Sequence, residues 1–483
     1  MKVLFASSYF LSLDPRSCQK QSPYPPLGTL YAATAFLHQG YTVSVFDSMI
    51  RPFKEFKPFF IQENPDVFVL YDDEFNYLTK MCLSRMRDAA LNLIKLAATQ
   101  HLPIFVYTSD AMDYPEPFLK AGATAVIQRE GEAALQDILL SLKKGLWEKN
   151  KYSIPGITFF SGQALYRTLT RELITDLDPL PPPQYELCDI PSYQKIWKKH
   201  KRPFSLNIST SRGCVYRCNW CAKPLFGKSY RCHSPQRVAS EFIRLKKTYG
   251  AESLWITDDI FGLKKGWLTE LASLCSSLSI QMPYTCLTRA DLLLREHDCQ
   301  NLKTTGCSQV WIGAESGSQR VLNKMEKGIT VEQIRHSRQK AMEHGIKIGY
   351  FIQFGYLEET WEDICHTRRL IRETLPEGLG ISVSYPLPGT SFYEKVKGQL
   401  KKKTHWNHSK DLAMLYYGHY SPFFYRILHA MTHHEWKFYT MLAKKNWKRI
   451  IGAPFFLFRF GALKIILDIH RRIGYSLKSQ TGV

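Results

Sequence analysis

A chain of 483 residues with 45% hydrophobic and 13% aromatic content exceeds one ordinary core and excludes global disorder. Its formal charge of +21 suits anionic partners, and twelve cysteines in this length exclude a small disulfide-stapled scaffold. With three of those cysteines clustered, a reducing cytoplasm is the expected compartment; the N-terminus opens on a strand without a signal-peptide pattern, and no apolar run is long enough to span a bilayer.

In chain order, residues 1–146 alternate apolar strands with amphipathic helices: strands are predicted at 2–7, 42–46, 67–71, 104–108 and 125–127, and helices at 27–39 and 81–99. That alternation predicts an α/β domain built on a doubly wound parallel sheet. Ligands of such sheets bind beyond the carboxyl ends of the strands, where this chain has Ser7, Tyr71, Thr108, Ser109, Gly131 and Glu132. Residues 147–201 read as a connector, because Pro179 and the triple Pro181, Pro182, Pro183 favour an extended course and stop helices.

From 202 to 395 strands and helices alternate again, with strands predicted at 204–208, 254–257, 282–286, 310–313, 347–354 and 380–385 and a helix at 234–249. After the first of these strands stand Cys214, Cys218 and Cys221, in the run Arg-Gly-Cys-Val-Tyr-Arg-Cys-Asn-Trp-Cys. Thiolates at this spacing serve two chemistries. Structural zinc wants four closed ligands, for which Cys232 and His233 stand near enough in sequence; a cubane iron–sulfur cluster held by three leaves one iron open. Cys275, Cys286, Cys299, Cys307 and Cys365 lack paired ligand spacing and are expected to be small buried side chains.

The Cys-x3-Cys-x2-Cys loop, with an aromatic residue before its last cysteine, resembles the cluster motif of the radical S-adenosylmethionine (SAM) enzymes. The likeness continues in family order through Trp255-Ile256-Thr257-Asp258-Asp259, Leu287-Thr288-Arg289-Ala290-Asp291, Ile312-Gly313-Ala314-Glu315-Ser316, residues 345–351 and Pro386-Leu387-Pro388-Gly389-Thr390. The resemblance implies a partial (β/α)6 barrel and a 4Fe–4S cluster on the three cysteines. It implies too that SAM on the open iron is split to a 5′-deoxyadenosyl radical, with electrons from an external donor such as flavodoxin or ferredoxin. It makes Asp258, Asp259, Arg289, Glu315 and Gly349 the expected SAM-binding residues, Glu315 foremost; Arg289 could equally pair with Asp291 or Glu315, and helix capping is the alternative for Asp258 and Asp259. Where relatives tend to read Gly-x-Pro-x-Glu-Thr, this chain has Gly355-Tyr356-Leu357-Glu358-Glu359-Thr360, which leaves that loop's geometry open.

A doubly wound sheet directly before such a barrel resembles the cobalamin-binding domain of the B12-dependent branch, which implies cobalamin against Ser7, Tyr71, Thr108, Ser109, Gly131 and Glu132. No Asp-x-His-x-x-Gly signature is present to supply an axial histidine. A Rossmann-like domain with another ligand or none is the alternative. The activity this implies is methylation of an unactivated carbon of a small-molecule or lipid-like substrate. Oxidative cyclisation of the anaerobic tetrapyrrole type, RNA modification and a non-catalytic zinc scaffold stand beside it.

Residues 396–483 change character: from 401 onward 15 Lys and Arg face 3 Asp and Glu, interleaved with aromatic residues, and 439–473 reads as helices. Such a region suits peripheral contact with an anionic membrane surface, or a solvated basic face on helices that close over the barrel. Nucleic acid is not the expected partner, since no RNA-binding module signature is visible.

Overall fold

The structure, a computed structural model, describes residues 1–81, 83–221, 227–400, 403, 405–444, 461 and 465–469. The first sheet takes β1 (Lys2–Ala6), β2 (Thr42–Phe46), β3 (Val67–Tyr71), β4 (Ile104–Tyr107), β5 (Ala125–Ile127), β6 (Ile157–Ser161) and β7 (Ala164–Arg167) in the order β2-β1-β3-β4-β5-β6-β7. Strands β1 to β5 are parallel. Every residue of β3 and β4 is buried, which is why Val-Phe-Val-Leu-Tyr and Ile-Phe-Val-Tyr read as unbroken apolar runs.

The connector is more structured than its prolines suggested. β6 and β7 form an antiparallel hairpin on the edge of the first sheet, extending that domain to Arg167. The helix Ile190–Lys199 then packs back on it: Trp197 Nε1 donates to the Pro23 carbonyl at 2.9 Å and the Tyr193 hydroxyl to Asp47 at 2.8 Å.

The second sheet takes β8 (Ser205–Ile208), β11 (Ser253–Ile256), β12 (Tyr284–Thr288), β13 (Cys307–Glu315), β14 (Lys347–Phe354) and β15 (Gly378–Val383) in the order β15-β14-β13-β12-β11-β8, all parallel. Its first and last strands are not paired to each other, so it is a partial (β/α)6 barrel. Between β8 and β11 a two-stranded ribbon joins β9 (Ser211–Arg212) to β10 (Arg231–Cys232). One apolar core runs from one face of the first sheet, through Tyr31, Tyr185 and Tyr193, into the barrel; a second covers the other face of the first sheet.

The helix Pro422–Ala443 lies across the barrel's outer helix Trp361–Thr374, where Glu435 accepts from Arg368 at 2.8 Å and Arg372 at 3.3 Å. Among the described residues no helix is long and apolar enough to cross a membrane. Lys444 ends that helix, whereas the other basic residues expected beside apolar ones, Lys445, Lys448, Arg449, Arg459, Lys464, Arg471 and Arg472, lie outside the described residues.

The departing segment Gly355–Thr360 forms an ordered turn. The fully buried Glu359 accepts from the Gly355 N–H at 2.6 Å, and Thr360 caps the helix Trp361–Thr374 in a reciprocal box with Asp363. Burial pushes the Glu359 carboxyl up to about 8 from 4.5, against the pull of the Gly355 bond. The fold therefore keeps a proton that the unfolded chain releases, so stability falls as pH rises from the unfolded value to the folded one and is level above it. Glu359→Gln should remove that slope: relative to the parent, the variant gains on the order of 4 kcal/mol between about pH 4 and pH 9 in urea unfolding.

Candidate active site

The cysteine loop leaves the carboxyl end of β8, and its base is fixed by one carboxylate. Asp258, at the carboxyl end of β11, accepts from the backbone N–H of Thr210 at 2.6 Å and of Ser211 at 3.1 Å, from the Ser211 hydroxyl at 2.7 Å and from the Thr210 hydroxyl. Burial raises its carboxyl to about 6, with those bonds opposing. Both oxygens are engaged there, so Asp258 orders the base of the loop.

Cys214, Cys218 and Cys221 are all part-exposed and in no disulfide, and the Cys221 N–H donates to the Cys218 carbonyl at 3.2 Å. Between them Asn219 pins the loop to the barrel. It donates to the Lys324 carbonyl at 2.7 Å, accepts from the Tyr356 hydroxyl at 2.7 Å, and its carbonyl takes the Phe392 N–H at 2.8 Å. Among the described residues no three or more His, Cys, Asp or Glu side chains are gathered as a metal site. Of the two residues that could complete a zinc site, His233 faces Asp178 at 3.2 Å, and Cys232 is the backbone register partner of Ser211 in the ribbon.

Across the mouth, β13 ends in an irregularity between Gly313 and Glu315 that leaves Glu315 at φ 57°. Such a kink re-aims a side chain at a strand's end. Glu315 meets Lys327 at 3.0 Å and accepts from Gln353 at 3.1 Å, all three buried. Gly313 makes room for this pair, since a Cβ there would stand 2.3 Å from Glu315 Oε1 and 2.6 Å from Lys327 Nζ. Burial disfavours charge on Lys327, and the Glu315 carboxylate and the nearby Cys218 thiol outweigh it, so its ammonium is held above the ordinary range. Lys327 also stands 5.7 Å from the ring of Trp220, between the last two cysteines.

Arg289 joins the same wall. It pairs with Asp291 at 2.9 Å, donates to the Lys327 carbonyl at 3.1 Å and lies 3.5 Å over the ring of Tyr216 in the cysteine loop. Asp259 meets Lys80 of the N-terminal domain at 3.5 Å, both side chains buried. A Cβ at Gly349 would stand 2.5 Å from the indole of Trp311, so the bare glycine gives that tryptophan its seat.

One residue of the mouth escaped the sequence reading because it comes from the other domain. Tyr77, on the short helix Tyr77–Lys80 after β3, keeps its hydroxyl protonated through burial and the neighbouring charges of Tyr385, Cys221 and Glu315. Its ring is 48% exposed although protein surrounds it, so it faces open space beside the cysteine loop.

The residues expected at the carboxyl edge of the first sheet are brought together, but they hold one another. Asp72 after β3 accepts from the Ser7 hydroxyl at 3.1 Å, the Ser8 N–H at 2.6 Å and the Ser8 hydroxyl at 2.8 Å, stitching the β1 and β3 loops across the sheet's switch point. Tyr71 stacks on Tyr107 with centroids 4.1 Å apart, and both rings press on Gly131, where a Cβ would come within 2.8 Å of each. Thr108 caps the helix Ser109–Asp113, and Glu132 pairs with Arg212 at 2.7 Å. Five buried polar atoms gather here without a partner: both Glu74 carboxyl oxygens, Glu132 Oε2 and the hydroxyls of Tyr71 and Tyr107.

The family model described as the radical SAM superfamily matches residues 208–371, from the end of β8 to the helix after β14. That segment is a radical SAM domain. The chain is 29% identical over 272 residues, 56% of its length and 57% of the relative's, to an uncharacterized methyltransferase of Pyrococcus horikoshii. The hopanoid C-3 methylase of Methylococcus capsulatus is 23% identical over 78% of this chain and 69% of its own length. The radical SAM methyltransferase TsrM of Kitasatospora setae, solved with cobalamin and a 4Fe–4S cluster, superposes with a TM-score of 0.67 at 17% identity over 82% of this chain and 74% of that one, a likeness of fold. The chain spans little more than half the length of the Pyrococcus relative.

Proposed function

We propose that the chain holds a 4Fe–4S cluster on Cys214, Cys218 and Cys221, binds SAM between that loop and the Glu315–Lys327 wall, and methylates a carbon of a small-molecule or lipid-like substrate. One observation carries this reading: three part-exposed cysteines, none in a disulfide, on a loop at the carboxyl end of a parallel barrel, opposite a buried carboxylate re-aimed by a strand irregularity. The donor set fits a cluster, since thiolate is its protein ligand and three leave one iron open. When bound, such a cluster supplies one electron to the sulfonium of SAM from an external donor such as flavodoxin or ferredoxin.

The chain's own residues do the rest. Glu315 offers its carboxylate to the SAM ammonium, with Lys327 balancing its charge. Arg289, oriented by Asp291, presents a cation beside the loop. Asp258 keeps the loop's base in one shape, and the protonated Tyr77 hydroxyl can donate a hydrogen bond to whatever fills the mouth.

Cobalamin enters the reading because the architecture is that of TsrM. The five partnerless polar atoms at the sheet edge suit an amide-rich ligand, and the stacked Tyr71 and Tyr107 rings stand beside them, where such a ligand would meet or part them.

Anaerobic reconstitution with iron, sulfide and corrinoid quantified, followed by mass spectrometry of SAM products, tests this. About four irons per chain with both 5′-deoxyadenosine and S-adenosylhomocysteine is the expected result. Deoxyadenosine alone redirects the reading to oxidative cyclisation, and a chain that binds zinc and cleaves no SAM overturns it.

A further inference from the structure

The loop that carries the three cysteines is closed at its base by two arginines that belong to the radical SAM domain but are held by the other one. Arg212 precedes the loop, Arg231 follows it, and the two are register partners in the β9–β10 ribbon. Arg212 Nη2 meets Glu132 at 2.7 Å and Nη1 meets Glu130 at 3.5 Å. Arg231 Nη1 spans both oxygens of Glu130 at 2.8 and 2.9 Å and also donates to the Ile174 carbonyl at 2.6 Å. All four side chains are nearly inaccessible, from 3% to 8% exposed.

We propose that Glu130 and Glu132 are positioning residues for the cysteine loop, so that the N-terminal domain sets the shape of the radical SAM domain's cluster site. Glu130 and Glu132 flank the first residue of the helix Gly131–Lys143, whose amino-terminal dipole favours carboxylates and fixes where they sit. A buried ion network of two acids and two bases adds little net stability over an apolar replacement, but losing one member strands a charge, so it specifies an arrangement more than it strengthens one. The rings of Tyr31 and Phe75, both from the N-terminal domain, lie 5.7 and 5.8 Å from the Arg212 guanidinium and restrict its alternatives.

The latch also abuts the sheet's carboxyl edge, because Gly131, between the two acids, is packed against Tyr71 and Tyr107. A ligand that parts those rings would act on the helix start that holds the loop. Ligation at one site is thereby coupled to geometry at the other.

This inference rests on the proposed cluster for its consequence but not for its test. Hydrogen–deuterium exchange on the full-length apoprotein should show, in Glu132→Gln and in Arg212→Lys, about tenfold faster exchange in peptides covering 213–221, with the β1 to β5 peptides unchanged. Exchange that stays at the parent rate in 213–221, or rises throughout the chain, overturns the latch. Arg212→Lys keeps the charge and guards against a Glu132→Gln chain that does not fold. After reconstitution the reduced-cluster electron paramagnetic resonance signal should shift in both variants. A parent protein that takes up no cluster overturns the proposed function alone, because the exchange readout needs none.

Discussion

If the proposed function holds, replacing Cys218 with alanine should abolish cluster assembly: iron after anaerobic reconstitution should fall from about four per chain to background, and SAM cleavage with it. The reason is ligand count. With two thiolates left, two irons of the cubane lack protein ligands, and nothing among the described residues stands ready to replace the missing one. The melting temperature of the apoprotein should hardly move, because all three thiols are part-exposed and Asn219, not a cysteine, ties the loop to Lys324, Tyr356 and Phe392. Cys275→Ala is the control: that thiol is buried in the barrel's helical layer, and its loss should leave iron content unchanged while costing about 1 kcal/mol of packing. Equal iron in Cys218→Ala and parent would remove the basis of the proposed function.

Glu315→Leu should destabilise the fold by about 3–5 kcal/mol in denaturant unfolding, because Lys327 is left as a buried cation without its carboxylate and Gln353 loses its acceptor. The double variant Glu315→Leu with Lys327→Met should recover most of that loss, since an apolar pair of similar volume replaces a desolvated ion pair at little net cost. SAM binding should not recover. That split separates the two roles of Glu315, as Lys327's partner and as the carboxylate offered to the ligand. A double variant that binds SAM as the parent does would place the ammonium elsewhere.

Much of this was legible in the chain. Strands β2, β3 and β5 fall where their β-branched and apolar runs put them, and the loop bearing Cys214, Cys218 and Cys221 leaves the barrel strand β8 as the sequence order implied. The β6–β7 hairpin was hidden by nearby prolines, although Ser161-Gly162 between two alternating runs was its turn signal. β12 begins two residues later than its pattern implied, after Pro283. In sequence a strand-end glycine or aspartate such as Gly349 or Asp258 looks the same whether it meets a ligand or a neighbouring side chain, and the contacts with Trp311 and with Thr210 and Ser211 come only with the fold. Arg212, Lys327, Asn219 and Tyr77 carried no local signal. Each acts through a contact between distant segments, as with Arg212 and Glu132, 80 residues apart, and such partners exist only once the chain has folded.

The apolar core that passes from the first sheet into the barrel makes the two halves poor candidates for separate lives. Tyr31, Tyr185 and Tyr193 are greasy on both sides of the seam, so cutting the chain there would wet surfaces that neither fragment can re-cover alone. The protein is thus better regarded as one thermodynamic body with two topologies than as a catalytic module wearing an accessory.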